Sequence, residues 1–402
     1  MFKKRTKEFS YETELLNQGA YINQLASNPE TAPIYMTTAF NVEDLDDLQE
    51  RYDQQGFCYN RNRNPNRTAL AELMTYLEKG ENSVICSSGM AAISTAILSL
   101  VKAGDHIVSD RTLYGESMDV FSKVLGDFSV SVSYVDFTNL AEIEAAIQEN
   151  TKVLYTETVA NPMITVVDLD EIADIAHRKN AVLVVDNTFM TSVGIRPLSH
   201  GADLVVNSLT KFANGHSDAV CGSITGKAEL IEKAYHLQVL IGSTADAFTA
   251  WLVQRGMRTM ALRLEKQMAN AAKLAQALET SPYVKQVNYP GLKSHPQHEL
   301  AARLFKNGYG AMLSIVLPDD KEKMNAFMRR LQLAHYAMTL GGYRTTLSHP
   351  IMSSHYDVPE EMRQKIGITF GLLRISVGIE NAEELVEDFL QALEVFGETE
   401  EK

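Results

Sequence analysis

The chain is 402 residues long, 45% hydrophobic and 22% charged, with a formal net charge of −14. That length accommodates one large domain and a smaller one, and the composition is that of a folded soluble protein rather than a disordered one. The acidic balance argues against a nucleic-acid partner, whose phosphates need a basic face.

Residues 1 to about 60 are mixed and polar with no sustained period, and they are expected to form an arm that packs on something else. No apolar core of a signal peptide follows Met1-Phe-Lys-Lys-Arg5. Arg61, Arg63 and Arg67 come next, interleaved with Asn: a solvated loop, or a site for one small phosphate. From about residue 68 short apolar runs alternate with amphipathic stretches. The runs are Ser83–Ser87, His106–Ser109, Val130–Val135, Val153–Tyr155, Ala181–Val185, Leu204–Val206 and Val220–Thr225, and the segments Leu140–Ile147 and Leu169–His177 between them have helical character. Continuous apolar strands separated by helices predict an α/β fold with a mostly parallel sheet covered on both faces. The apolar stretch Met90–Val101 is too short to span a bilayer and contains Ser94, Thr95 and Ser99, so no membrane segment is expected.

After about residue 226 long helical patterns cover Lys227–Leu240 and Ala245–Leu278. Strand-like pieces follow at Met312–Val316 and Leu372–Val377, with a closing amphipathic helix at Ala382–Val395. This predicts a second, α+β domain, and Glu398–Lys402 reads as a solvated tail. Cys58, Cys86 and Cys221 lie far apart without a Cys-x-x-Cys spacing. That suits a reducing cytoplasm and predicts neither a disulfide framework nor a zinc site; no metal is expected.

In a parallel sheet ligands bind beyond the carboxyl ends of the strands, and four strand ends here carry polar residues. Cys86-Ser-Ser-Gly-Met-Ala-Ala92 passes from strand straight into helix, leaving free N–H groups and a positive dipole end. Gly89 admits a phosphate close to the backbone, although strand–Gly–helix turns also occur for structural reasons alone. Asp186 in Val184-Val-Asp-Asn-Thr-Phe189 is a carboxylate above the sheet suited to a cation, or an N-cap. Lys211 ends Asn207-Ser-Leu-Thr-Lys211 beside the hydroxyls of Ser208 and Thr210; it is either a Schiff-base amine next to a phosphate site or a surface lysine. In Glu157-Thr-Val-Ala-Asn-Pro162, Asn161 precedes a rigid Pro and is a turn-former by default.

Taken together and in this order, these segments resemble the cysteine/methionine-metabolism (trans-sulfuration) family of pyridoxal-phosphate enzymes. The likeness runs from about Ala32 to Phe396. It includes Ala32-Pro-Ile-Tyr35, Tyr59-Asn-Arg61, Asn64-Pro65, Ser88-Gly-Met90, Gly104-Asp-His106, Tyr114-Gly115, Gly215-His216, Tyr289-Pro-Gly291, Leu340-Gly-Gly342 and Arg374-Ile-Ser-Val-Gly-Ile-Glu380. The resemblance implies the aspartate-aminotransferase-like (type I pyridoxal-phosphate) fold, a large domain with a seven-stranded mostly parallel sheet plus a smaller α+β domain. On this chain it implies an arm at 1–62 reaching the neighbouring subunit, a pyridoxal-phosphate-binding domain at 63–255 and a C-terminal domain at 256–402. It further implies pyridoxal 5'-phosphate as cofactor, an amino acid as the small-molecule substrate, and a homotetramer made of two close dimers.

Position by position, the resemblance makes Lys211 the lysine that carries the cofactor and Asp186 the partner of its protonated pyridine nitrogen. Tyr114 would stack on the ring. Phosphate would be held by the backbone at Gly89 and Met90, by Ser208 and Thr210, and by Tyr59 and Arg61 from the other chain. Arg374 would clamp the substrate carboxylate, Asn161 would face the cofactor's phenolic oxygen, and Thr339, where the family usually has Ser, would help orient the substrate. Lys211 would move the α- and β-protons. Tyr114, its phenol pKa lowered by nearby positive charge, would protonate the departing sulfur.

Several positions depart from the family pattern. Members acting on cystathionine tend to carry an acidic residue just before the Ser-Leu-Gly segment and an Arg shortly after Tyr-Gly; here stand Met338 and Asp119. An apolar Met338 suits an uncharged leaving group better than the distal ammonium of cystathionine. Methionine γ-lyases typically have Cys right after Tyr-Gly, where this chain has Glu116, and a Lys-Asp pair at about Gln238-Val239; Arg344 replaces a common Glu. Glu116 is either a solvated helix-start carboxylate or a substrate contact. The resemblance thus implies a carbon–sulfur lyase, most like methionine γ-lyase, releasing a thiol, a 2-oxo acid and ammonia. The alternatives are a γ-replacement transferase (cystathionine γ-synthase or O-acylhomoserine sulfhydrylase), a cystathionine γ/β-lyase, or, in a different class, a non-catalytic binding protein on the same fold.

Overall fold

The computed structural model describes residues 9–18, 29–354, 356 and 360–398. The seven apolar runs become β1 (Asn82–Cys86), β2 (His106–Asp110), β3 (Ser131–Val135), β4 (Thr151–Glu157), β5 (Val182–Asp186), β6 (Leu204–Ser208) and β7 (Gly222–Gly226). They form one sheet in the order β1-β7-β6-β5-β4-β2-β3. Neighbours pair in parallel except β7, which runs against both β1 and β6.

Side chains alternate across a strand, and this alternation builds two cores. Ile85, Val108, Leu154, Leu183, Val185 and Val205 face one of them, under the helices Pro65–Glu78 and Leu169–Arg178. Val84, Ile107, Val153, Tyr155, Val184, Leu204 and Val206 face the other, against the helix Gly89–Leu98. Local chemistry starts and stops these helices. Asn64 accepts the Asn66 N–H at 2.9 Å, Pro65 occupies the first turn where its missing donor costs nothing, and Lys79 ends the helix with φ at +57°.

The second sheet comprises β8 (Gln286–Asn288), β9 (Met312–Val316), β10 (His335–Tyr336), β11 (Thr346–Ser348) and β12 (Leu372–Ser376), ordered β10-β11-β12-β9-β8. Only β10–β11 is parallel. β9 and β12 match the two strand-like pieces of the sequence; the others are two or three residues long, too short to show a period. The stretch 245–278, continuous in sequence pattern, divides into Ala247–Met257 and Met260–Glu279. Between them Arg258 N–H and Thr259 N–H close tight turns onto Arg255 O and Gly256 O at 3.2 and 3.4 Å. The second of these helices serves both layers: Met260, Leu264 and Met268 pack in the large-sheet core, and Ala271, Leu274, Ala275 and Leu278 pack in that of the small sheet. Arg374 on β12 is thereby carried to the large sheet.

Among the described residues of the arm, the helix Leu45–Asp53 buries no side chain, and Met36, Leu45 and Tyr52 are exposed. Trp251 Nε1 donates to Ala32 O at 2.9 Å and ties this segment to the body. Residues 1–8 and 19–28 of the expected arm lie outside the described residues, as do 399–402 of the expected tail. Glu398, the last described residue, is exposed as expected; Arg330 pairs with its carboxylate at 2.6 Å, and Lys323 donates to its carbonyl at 3.0 Å. Among the described residues no helix is long and apolar enough to cross a membrane.

Candidate active site

A cavity of about 330 Å³ opens over the carboxyl ends of β4, β5 and β6, within the size range of small-molecule sites, about 300–1,000 Å³. Its wall contains Gly89, Met90, Tyr114, Asn161, Asp186, Ser208, Thr210, Lys211, Thr339 and Arg374. Ten residues named from the sequence, from five strand ends of the large sheet and from the region of the second sheet, therefore meet in one place. Tyr59 and Arg61 do not join them. Tyr59 is half exposed in a separate depression, and Arg61 donates to Val239 O with its guanidinium 5.7 Å from the Tyr59 ring. Within one chain the cavity lacks both.

Asp186 ends β5, and its Oδ1 accepts the Thr188 N–H at 2.9 Å. Thr188 Oγ1 accepts the Ser208 N–H at 2.8 Å, so a residue unmarked in the sequence reading links the carboxylate to the end of β6. Burial raises the Asp186 pKa, against the pull of the Thr188 hydrogen bonds. A buried carboxylate of this kind favours a cation against it, which would restore its ionised form.

Ser88 caps the helix Gly89–Leu98 by accepting the Ala91 N–H at 2.9 Å, leaving the first-turn N–H groups at Gly89 and Met90 on the cavity side. A side chain at Gly89 would place its Cβ 2.7 Å from Ser208 Cβ, so only glycine lets helix and strand end approach this closely. The Thr210 hydroxyl donates to Cys221 O at 3.2 Å and accepts the Cys221 N–H at 3.1 Å. Donating to a phosphate requires that hydroxyl to turn away from Cys221 O.

Burial lowers the basicity of the Lys211 amine, the Arg374 charge lowers it further, and Glu116 opposes both. Gly341, at φ +78°, packs against the lysine main chain; a Cβ there would sit 3.0 Å from Lys211 Cα. Arg374 is 6% exposed, and burial lowers its pKa to about 10. Its Nη1 donates to Asn161 Oδ1 at 2.9 Å across the two sheets. Asn161, preceding a cis peptide to Pro162, thus faces the guanidinium.

Two expectations, for Tyr114 and Arg67, are corrected here, and the structure places Asp119. The Tyr114 phenol pKa is raised, not lowered: burial leads, the Glu116 charge adds, and Arg374 offsets only part. The phenol therefore keeps its proton. Asp119 is not in the cavity wall; it turns outward one turn along the helix Gly115–Asp119 and pairs with Lys123 at 2.8 Å. Arg67, grouped in the sequence with a possible phosphate site, is buried and donates to Ala245 O at 2.9 Å and Asn60 Oδ1 at 3.2 Å, so it shapes its own loop.

Of the open readings, Glu116 lies in the cavity wall beside the phenol, and Met338 stands at its rim, 72% exposed. Arg344 lies outside the wall, stacked over Tyr343 at 5.2 Å, and Gln238 is buried with its amide on Ile85 O at 2.6 Å. Glu157, not singled out by the sequence, also lines the cavity, and its carboxylate accepts N–H groups from Tyr114 and Asn161. Its only sequence signal is an acidic residue following the apolar run Val153–Tyr155.

Residues 12–394 match the model of the family described as Cys/Met metabolism PLP-dependent enzyme. The chain belongs to this family. It is 37% identical over 97% of its length to the L-methionine gamma-lyase of Fusobacterium nucleatum subsp. polymorphum, covering 99% of that protein. It is 40% identical over 94% of its length to the cystathionine gamma-lyase of Bacillus subtilis (strain 168), covering 98% of it. In structure it is similar to the cystathionine gamma synthase of Xanthomonas oryzae pv. oryzae, solved with aminoacrylate and cysteine, at a TM-score of 0.93 and 33% identity, covering 97% of this chain and 99% of that one. The fold is that of the type I pyridoxal-phosphate enzymes, and the protein is a pyridoxal-phosphate-dependent enzyme. Its cavity fits the cofactor: a helix N-terminus with a glycine where a Cβ would collide, a buried carboxylate, and an amine of lowered basicity lie around one space.

Proposed function

We propose that this protein is a carbon–sulfur lyase that eliminates a thiol from a sulfur amino acid, in keeping with the name of its methionine gamma-lyase relative, and that water then hydrolyses the remaining enamine to a 2-oxo acid and ammonia. The observation that carries this reading is the convergence of Lys211, Asp186, Tyr114 and Arg374 on one cavity whose rim side chain is Met338. Pyridoxal phosphate, when bound, supplies an electron sink that stabilises negative charge at the substrate's α-carbon. Lys211 would hold the cofactor and, as a weakly basic buried amine, would take the α-proton and then move a β-proton, so that sulfur can leave the γ-carbon. Asp186 holds the ring nitrogen, and the first-turn N–H groups at Gly89 and Met90 hold the phosphate with Ser208 and Thr210. Tyr114, kept protonated by burial and Glu116, donates to the departing sulfur. Thr339 and Asn161 flank the substrate side.

Arg374 clamps the α-carboxylate with a planar pair of donors. Lysine is expected to be a poor substitute: Arg374→Lys should raise KM by about 10²-fold, the scale of losing a buried charge-assisted contact, with a smaller change in kcat. Steady-state kinetics over a range of substrate concentrations check this.

Substrate choice follows from the rim. Cystathionine brings a second carboxylate and a second ammonium, and Met338 offers neither a partner. Glu116 faces the cavity, where it would attract that ammonium but repel that carboxylate, while Asp119 points away and can take neither. Whatever hydration those ions lose at the rim is not repaid by a partner on Met338. In a panel of methionine, homocysteine, cystathionine, cysteine and O-acetylhomoserine, scored for ammonia and oxo-acid release, the uncharged γ-thioether or γ-thiol should have the highest kcat/KM. A value for cystathionine at or above that for methionine and homocysteine would overturn the reading. A thioether product that appears only with a second substrate would identify a γ-replacement transferase instead.

We further propose that two copies complete each site, with the arm at 1–62 carrying Tyr59 and Arg61 to a neighbour's phosphate, and that two such dimers form a homotetramer. The exposed Met36, Leu45 and Tyr52 on the arm support it, since apolar side chains of this size are favoured against a partner.

A further inference from the structure

Glu157 lies where three parts of the site meet. It is the last residue of β4, 6% exposed, and in register with Asp186 on the adjacent β5. One oxygen, Oε1, accepts the Tyr114 N–H at 2.7 Å; the other, Oε2, accepts the Asn161 N–H at 3.0 Å. Asn161 Oδ1 in turn accepts from Arg374 Nη1 at 2.9 Å. A single buried carboxylate therefore ties together the loop after β2, the loop after β4 and, through Asn161, the guanidinium from the second sheet. The site is expensive to build: burial and the neighbouring Asp186 both raise the Glu157 pKa, and only the two N–H groups pull it down. Helix or strand capping alone does not account for a carboxylate placed beside another carboxylate, since an amide or hydroxyl would cap one N–H without the repulsion.

We propose that Glu157 is a positioning residue that sets the Tyr114 ring and the Arg374–Asn161 carboxylate clamp relative to each other. Both oxygens are required, because the two donors approach opposite oxygens of the same group. In Glu157→Gln one of the N–H groups must face an amide NH₂, so one loop is released. In Glu157→Asp the acceptors sit one methylene short and cannot reach both loops. This inference rests on the reading of Arg374 as the carboxylate clamp.

The test is calorimetric titration of the holoenzyme with 4-(methylthio)butanoate, a thioether acid that lacks the α-amino group and cannot react. Both Glu157→Gln and Glu157→Asp are expected to bind it about tenfold more weakly than the unmodified enzyme, the scale of losing a hydrogen bond to a charged group. KM should rise more than kcat falls, and each folded variant should keep its thermal midpoint within a few degrees. A merely structural role would instead lower the midpoint and leave the acid's affinity unchanged in the folded fraction. Unchanged affinity in either folded variant, with Arg374→Ala losing it, overturns the positioning role alone. Unchanged affinity in Arg374→Ala overturns the clamp reading, and the positioning role with it.

Discussion

Lys211→Ala is expected to lower turnover by at least about 10³-fold, because one residue is asked both to hold the cofactor and to move the substrate's protons. The amine is buried enough for its basicity to fall, and the Arg374 charge lowers it further, so more of it is neutral and nucleophilic near neutral pH than for a surface lysine. The purified protein should be yellow, and borohydride should fix the cofactor to Lys211 irreversibly, as peptide mass spectrometry would show. The Ala variant should lose the visible band and the turnover together. A reduced adduct on any other lysine would remove Lys211 from the mechanism, and a colourless unmodified enzyme that binds no pyridoxal phosphate would return the chain to a non-catalytic role.

Mixing two inactive variants should restore activity. If each site takes Lys211 from one chain and Arg61 from another, a heterodimer of Lys211→Ala with Arg61→Ala carries both defects in one site and neither in the other. With random exchange, about a quarter of all sites are then intact, which is a large signal against two inactive parents. The structure motivates the experiment directly: in the single chain Arg61 turns to Val239 O, away from the cavity, while Tyr59 stays half exposed. Activity that stays absent after exchange is demonstrated by mass would mean that each site is built from one chain.

Much of this protein was determined by its sequence alone. The short apolar runs up to residue 226 coincide with all seven strands of the large sheet, because strands packed between two helical layers are mostly apolar. The polar residues that close those runs, Gly89, Asp186, Ser208 and Lys211, necessarily gather at one edge of a parallel sheet, so their order along the chain already implied a shared site. Tertiary structure decided what local pattern does not encode. The register of β4 against β5 sets Glu157 beside Asp186, and the long helix Met260–Glu279 joins the cores through which β12 brings Arg374 to Asn161. The rotation of one short helix separates Glu116, in the cavity wall, from Asp119, paired with Lys123 outside it, although the two read alike as acidic residues after Tyr-Gly. The Tyr114 phenol follows the same rule: its proton is held by burial and by the sum of surrounding charges. Burial and charge neighbours are properties of contacts far apart in the chain, and the folded arrangement alone determines them.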